Sequence, residues 1–284
     1  MTNMGNMGNM GNMGNMGNAG NGGDPGAGWE FADKALVPFA QDPGNLPVRK
    51  MTIATAGYGD RHWGPSWFAW TILDAFSHRG WRKTTAAAVP DPKQFKTDDE
   101  LNTLLELAGF RADSLREIQA QNAEFLTYFM ALFGISGQSH PATIRVMHAA
   151  SLIGTLAALH WKNHWKRPRP VHLCPPLLPP IQEPGHPSYP SGHATQARLV
   201  ARCMVRIFED RERDATDIAA AGNALCALAR RIAYNREVAG LHYRSDSDVG
   251  VALADTIFEH YLAKRAADPM EAFEVTVHAA VREW

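Results

Sequence analysis

From Ser66 onward the apolar residues recur three and four apart with few interruptions. The pattern is plain in SWFAWTILDAF (66–76), DDELNTLLELAG (98–109), SLREIQAQNAEFLTYFMALFG (114–134) and PATIRVMHAASLIGTLAALHW (141–161). This is the period of a helix that buries one face, and strand-like alternation is scarce. The pattern predicts an all-α helical bundle of about 8 to 10 helices. Further helices are expected over 191–208, 214–233 and 245–265. The punctuation agrees: Thr97 precedes Asp98, Asp99 and Glu100 as an N-cap before an acidic first turn would, and Pro141 suits a first helical position.

The start of the chain lacks this pattern. Residues 1–18 repeat MGN, and glycine-rich text continues to Gly28, with no period that could bury a face. Residues 1–28 therefore read as a disordered tail. Its spaced methionines from Met4 to Met16 could be soft-metal ligands, but low complexity is the simpler reading. Residues 29–284 are expected to form a single catalytic domain, opening with an extended Pro/Gly-containing wrap over 29–64.

With 284 residues, 45% of them hydrophobic, the chain can bury a substantial core. A net charge of −1 supplies no global field for nucleic acid or an anionic membrane, so any anion site must be local. Cys174, Cys203 and Cys226 are odd in number and lack CxxC spacing, and read as core thiols. No Lys or Arg precedes Lys34 and no apolar run follows a basic start, so a cytoplasmic protein is expected. The most apolar run, Ala149–Leu159, has 11 residues, and no membrane span is expected from it.

Three segments fit a plain bundle poorly. In KNHWKRPRP (162–170) a helix end passes into a proline-stiffened loop with four cations, among them Arg169 between two prolines, a setting suited to bidentate oxyanion recognition. A solvated basic helix terminus would look similar. In YPSGHATQ (189–196) a helix starting at Ser191 or Gly192 would point unpaired N–H groups outward, with the Ser191 hydroxyl and His193 beside them. An ordinary serine cap after a proline turn is the alternative. In NREVAGLHYRSD (235–246) Arg236 supplies a cation. His242 and Asp246 stand four apart and would share a face if one helix held both.

Taken together, KxxxxxxRP, PSGH and RxxxxxHxxxD, in that order within 162–246, resemble the signature of the superfamily that unites type 2 phosphatidic acid phosphatases, soluble bacterial acid phosphatases and vanadium-dependent haloperoxidases. The resemblance implies that Lys162, Arg169, Ser191, Gly192 and Arg236 hold the oxygens of phosphate or vanadate. It further implies that His242 is the axial nucleophile or vanadium ligand, that Asp246 orients it and that His193 is the acid–base. Two chemistries follow. One uses vanadate as cofactor and converts hydrogen peroxide and halide to hypohalous acid; the other hydrolyses a phosphate monoester without a metal. Neither involves nucleic acid. A homo-oligomer is compatible with the family.

The longer run HPSYPSGHATQ (186–196) is similar to the algal bromoperoxidase form of the middle motif, with His186 five residues before Ser191 as a halide-pocket candidate. This favours a haloperoxidase preferring bromide or iodide. Two positions depart from the pattern: Asn235 replaces the usual Ser, and Leu159 stands where haloperoxidases often place Trp. His160 and His164 share helical spacing for zinc but have no third ligand, and Trp63, Trp67 and Trp70 read as packing residues.

Overall fold

The computed structural model describes Gly59, residues 63–211 and residues 214–284. The expected tail, and the expected wrap apart from Gly59, Trp63 and Gly64, lie outside the described residues. Among the described residues there is no strand, and nine helices have eight or more residues. They are α1 (Pro65–Ser77), α2 (Thr97–Leu107), α3 (Arg111–Ala123), α4 (Leu126–Phe133), α5 (Pro141–Trp165), α6 (Gly192–Asp210), α7 (Ala215–Val238), α8 (Arg244–Ile257) and α9 (Glu271–Val281). The architecture is all-α, as the periodicity indicated.

α6 lies at the centre, packed along α5, α7 and α8, while α1 and α9 pack on α5. Its buried residues Ala194, Ala197, Ala201, Met204 and Phe208 alternate spacings of three and four, the stripe that a helix turns toward a core. On its other side Arg198 and Arg202 pair with Asp255 of α8. Arg206, 2% exposed, is held by the Glu274 carboxylate of α9 and the Leu262 carbonyl, so its buried charge is compensated. Gly250 of α8 sits where a Cβ would come 2.8 Å from the Ser191 carbonyl oxygen. Only a glycine lets α8 approach the start of α6 this closely.

Helix ends correct several expectations. Thr97 is the first residue of α2 and Lys96 occupies the cap position, although the acidic first turn is present. The expected helix over 114–134 is two helices. Glu124 is extended, and its carboxylate accepts from Thr127 N at 2.8 Å and from Leu126 N, capping α4 and breaking the chain at the edge of the site. Pro141 does open α5, with Glu283 from the C-terminus accepting from Ala142 N and Thr143 N. Only Cys203 is a buried thiol; Cys174 and Cys226 are half-buried.

The segment Pro141–Leu173, which is α5 and its continuation, is long and apolar enough to cross a membrane, with a mean hydropathy of 1.4 over its best window. The 11-residue run understated this because Ile144, Val146 and Met147 carry the apolar stretch N-terminally past Arg145 and His148. Of that window 72% is buried inside the protein, the position of a core helix.

Candidate active site

Lys162 lies in the last turn of α5 and is 1% exposed. Its Nζ donates to the Pro187 and Ser188 carbonyls at 2.8 and 2.7 Å, which leaves one of its three hydrogens uncommitted. Burial, then the neighbouring Arg169, hold its pKa well below the usual lysine range. After α5 the chain turns at Lys166 in the left-handed region, and Arg169 is locked by donation to the Leu241 and His186 carbonyls. Its Nη2 lies 3.0 Å from His186 Nδ1. A guanidinium can only donate, so His186 Nδ1 accepts and its proton sits on Nε2, in preference to the longer 3.2 Å approach of Nδ1 to the Pro187 carbonyl. Burial and the adjacent Lys162 and Arg169 push His186 down to about 4, keeping it neutral.

His242 and Asp246 do meet, but not along a shared helix face. α8 begins at Arg244, so His242 lies in the loop before it. Asp246, in the first turn, reaches back to accept from Tyr243 N, and the same Oδ2 lies 3.1 Å from His242 Nδ1. The carboxylate accepts there, so Nδ1 carries the hydrogen and Nε2 keeps its lone pair. Ser188 Oγ donates to the same oxygen, and Arg167 Nη1 donates to Oδ1 at 2.8 Å. Arg167 also pairs with Glu100 of α2 and lies over the Tyr243 ring, 3.8 Å from its centroid. Burial raises Asp246 against the pull of Arg167, Ser188 and Lys162.

Ser191 caps α6: its Oγ accepts from Ala194 N and its own N–H donates to the Asp246 carbonyl. That bond ties the middle motif to the third. At Gly192 a Cβ would meet only Gln196 Oε1 at 3.9 Å, so the side toward the helix N-terminus is open. His193 Nε2 donates to the Gln121 carbonyl at 3.2 Å, leaving Nδ1 to take and return a proton. Burial, then Arg236 and Lys162, push His193 down to about 3, and burial with Lys162 and Arg169 holds His242 well below the usual range.

Arg236 occupies the last turn of α7, which extends beyond the expected end at 233. It is 1% exposed and donates Nη2 to the Ile118 carbonyl, yet Nε and Nη1 have no partner. Gln121 is fully buried; its Oε1 accepts from Asn235 Nδ2, which fixes the amide, and its Nε2 has no partner. Three buried N–H-bearing nitrogens without acceptors, beside cations whose pKa values burial has lowered, mark a place short of negative charge. Asn235, the departure from the family's serine, positions Gln121.

Lys162, His186, Gly192, His193 and His242 line one cavity of about 220 Å³, and Gln121 borders it. Arg169, Arg236 and Asp246 stand behind that wall, each bonded or electrostatically coupled to a member of it, and Ser191, next in the chain to Gly192, is bonded to Asp246. All nine expected site residues are thus brought together. Gln121, Glu100, Arg167 and Ser188 complete the set, and the sequence had assigned a place at the site to none of them. Trp70 corrects another expectation: 43% exposed, it lines the cavity instead of packing in the core. Trp161 is turned away and bonds Thr85. Among the described residues no cluster of three or more His, Cys, Asp or Glu could hold a metal ion, and His160 packs edge-on against Trp81.

No curated protein matches the chain. Residues 144–263 match the model of the PAP2 superfamily, a span that runs from the first turn of α5 past the end of α8 and encloses all three motifs. Residues 144–263 thus carry a PAP2 superfamily domain, of the superfamily that covers phosphatases and haloperoxidases.

Proposed function

We propose that the protein is a vanadate-dependent haloperoxidase that oxidises bromide or iodide with hydrogen peroxide. The observation that carries this reading is His186. It is neutral, hydrogen-bonded to Arg169, and faces the same cavity as Lys162 and both axial imidazoles. A neutral N–H donor beside fixed cations, in a cavity that Leu152, Leu159 and Phe125 also line, is a fitting seat for a halide.

The residues present fit vanadate. The unpartnered Arg236 and Gln121 donors, the uncommitted Lys162 hydrogen and the open Gly192 side offer hydrogen bonds to oxyanion oxygens, and His242 Nε2 offers a lone pair. When bound, vanadate supplies a Lewis-acid centre that activates hydrogen peroxide toward halide. The chain's own contribution is to hold the anion with Lys162, Arg169 and Arg236, to keep His242 in one tautomer through Asp246, and to exchange protons at His193 Nδ1. Each cation acts in a site from which water is largely excluded, where it counts for more than at the surface.

One observation favours the phosphatase alternative: Leu159, not an aromatic residue, lines the cavity three residues before Lys162, and Trp161 does not take its place. In that reaction His242 Nε2 forms a bond to phosphorus as the ester P–O bond breaks, and His193 protonates the departing alkoxide. Water then releases phosphate from His242. Orthovanadate-loaded protein assayed for bromination with peroxide, beside vanadate-free protein assayed on a chromogenic phosphate ester, separates the two. Bromination abolished by His242→Ala supports the proposal. Bromination that survives that change contradicts it, and ester hydrolysis untouched by His193→Ala contradicts the alternative.

A further inference from the structure

The cavity is much larger than the anion its inner end would hold. At about 220 Å³ it offers several times the room of one water, about 30 Å³, whereas a five-atom oxyanion fills only part of it. The remaining wall has a distinct chemistry. On α5 the residues facing the cavity fall at helical spacing outward from Lys162: Leu159, Thr155, Leu152 and His148. Trp70 of α1 also lines the cavity, and Phe125, at the break between α3 and α4, lies 5.7 Å from the His193 ring, centroid to centroid.

Of the polar groups in this outer part, Ser66 Oγ has no partner, and others are satisfied or uncharged. Gln196 Nε2 donates to Ser151 Oγ and Thr155 Oγ1, and Thr155 in turn donates to the Ser151 carbonyl. Glu124 spends its carboxylate on the start of α4. His148 is buried, which pushes it down to about 4 and leaves it uncharged. The outer cavity therefore offers apolar and aromatic contact with no unpaired charge, immediately beside an inner end rich in cations.

We infer that this outer chamber is a binding site for the uncharged aryl portion of an organic substrate, seated against Trp70, Phe125, Leu152 and Leu159. The inference rests on the oxyanion reading of the inner end but not on which of the two reactions occurs there. An aryl ring suits the walls because Trp and Phe faces and edges stack on it and the outer wall holds no unpaired charge to strip of water. Trp70, Gln121 and Phe125 precede the superfamily match while Leu152 and Leu159 lie within it, so the helices before the match supply the aromatic share of the chamber.

Phosphonates that neither reaction can turn over test the chamber by calorimetry on the full, vanadate-free chain, with methylphosphonate, phenylphosphonate and inorganic phosphate as probes. Phenylphosphonate should bind about tenfold more tightly than methylphosphonate, a ratio of about 1.4 kcal/mol. Trp70→Ala and Leu159→Gln, both at partly exposed positions, should bring the two within about twofold while inorganic phosphate binding is kept. Trp67→Ala, on the same helix but outside the cavity, should leave the tenfold ratio intact. Equal affinity of the two phosphonates in the unchanged protein, or a ratio that survives both chamber variants, overturns the inference while the oxyanion reading stands. If none of the three probes binds, the oxyanion reading fails and takes the chamber with it.

Discussion

Arg236→Met separates a functional cation from a structural one. In the anion-free protein the Arg236 guanidinium is 1% exposed, makes one hydrogen bond to the Ile118 carbonyl, and leaves Nε and Nη1 without acceptors. Each buried, unpartnered donor costs about 1–3 kcal/mol, so removing two recovers about 2–6, while stranding the Ile118 carbonyl costs about 1–3. Methionine keeps most of the aliphatic volume. At the midpoints of these ranges the balance is a net stabilisation of about 2 kcal/mol in urea unfolding without anion. Sulfate, a stable tetrahedral dianion, reverses the order. At a hundred times its dissociation constant it should stabilise the unchanged protein by about 2.7 kcal/mol. A hundredfold loss of affinity would leave the variant a gain of about 0.4 kcal/mol at the same concentration. A variant less stable than the parent without anion, or one stabilised equally by sulfate, would refute the assignment of Arg236 to the anion.

Asp246→Asn keeps an acceptor for His242 but turns one side of the group toward Arg167 as a donor. It should cost about 3 kcal/mol, at the low end for a broken buried pair because Glu100 still neutralises Arg167. Activity should fall about a hundredfold, and retention of both stability and rate would contradict the role given to the carboxylate. Burial raises Glu237 to about 7, above its unfolded value of about 4.3, so the folded state holds the extra proton between those limits and stability declines as pH rises through them. Glu237→Gln should therefore stabilise by about 1–3 kcal/mol at pH 8 and have little effect near pH 4.5; equal effects at both would count against it. Burial first, and then the Arg236 and Lys162 field, lower His193; the anion offsets that field, so sulfate binding should strengthen as pH falls and take up protons, with His186 and His242 contributing. Calorimetry in two buffers of different ionisation enthalpy measures the uptake, which His193→Gln should reduce; affinity flat from pH 5 to 8 would exclude it.

Residues whose chemistry is local were legible in the sequence. The helical period gave the bundle, and the three motifs named the cations, the serine cap and the His193 and His242 imidazoles, because each lies on a short stretch with fixed spacing. What escaped depends on contacts between distant stretches. Gln121 and Glu100 sit on helices with no motif, and only the fold brings them to residues 235 and 167. The break at Glu124 was hidden because a carboxylate that caps the next helix reads as an ordinary helical residue. Trp70 looked like core because helical spacing does not show which side of a helix a neighbour covers, and the face it presents borders the cavity. Asp246 reached His242 by a capping turn and not by helical register, so the pairing was legible although its cause was not.

The most direct measurement is a crystal structure of the protein soaked in orthovanadate, with the vanadium located by its anomalous signal. The account predicts a single site in the cavity between His193 and His242, bonded to a nitrogen of His242, with vanadate oxygens within hydrogen-bond distance of Arg236. Vanadium bound elsewhere, or held in the cavity without contact to either His242 or Arg236, would contradict it.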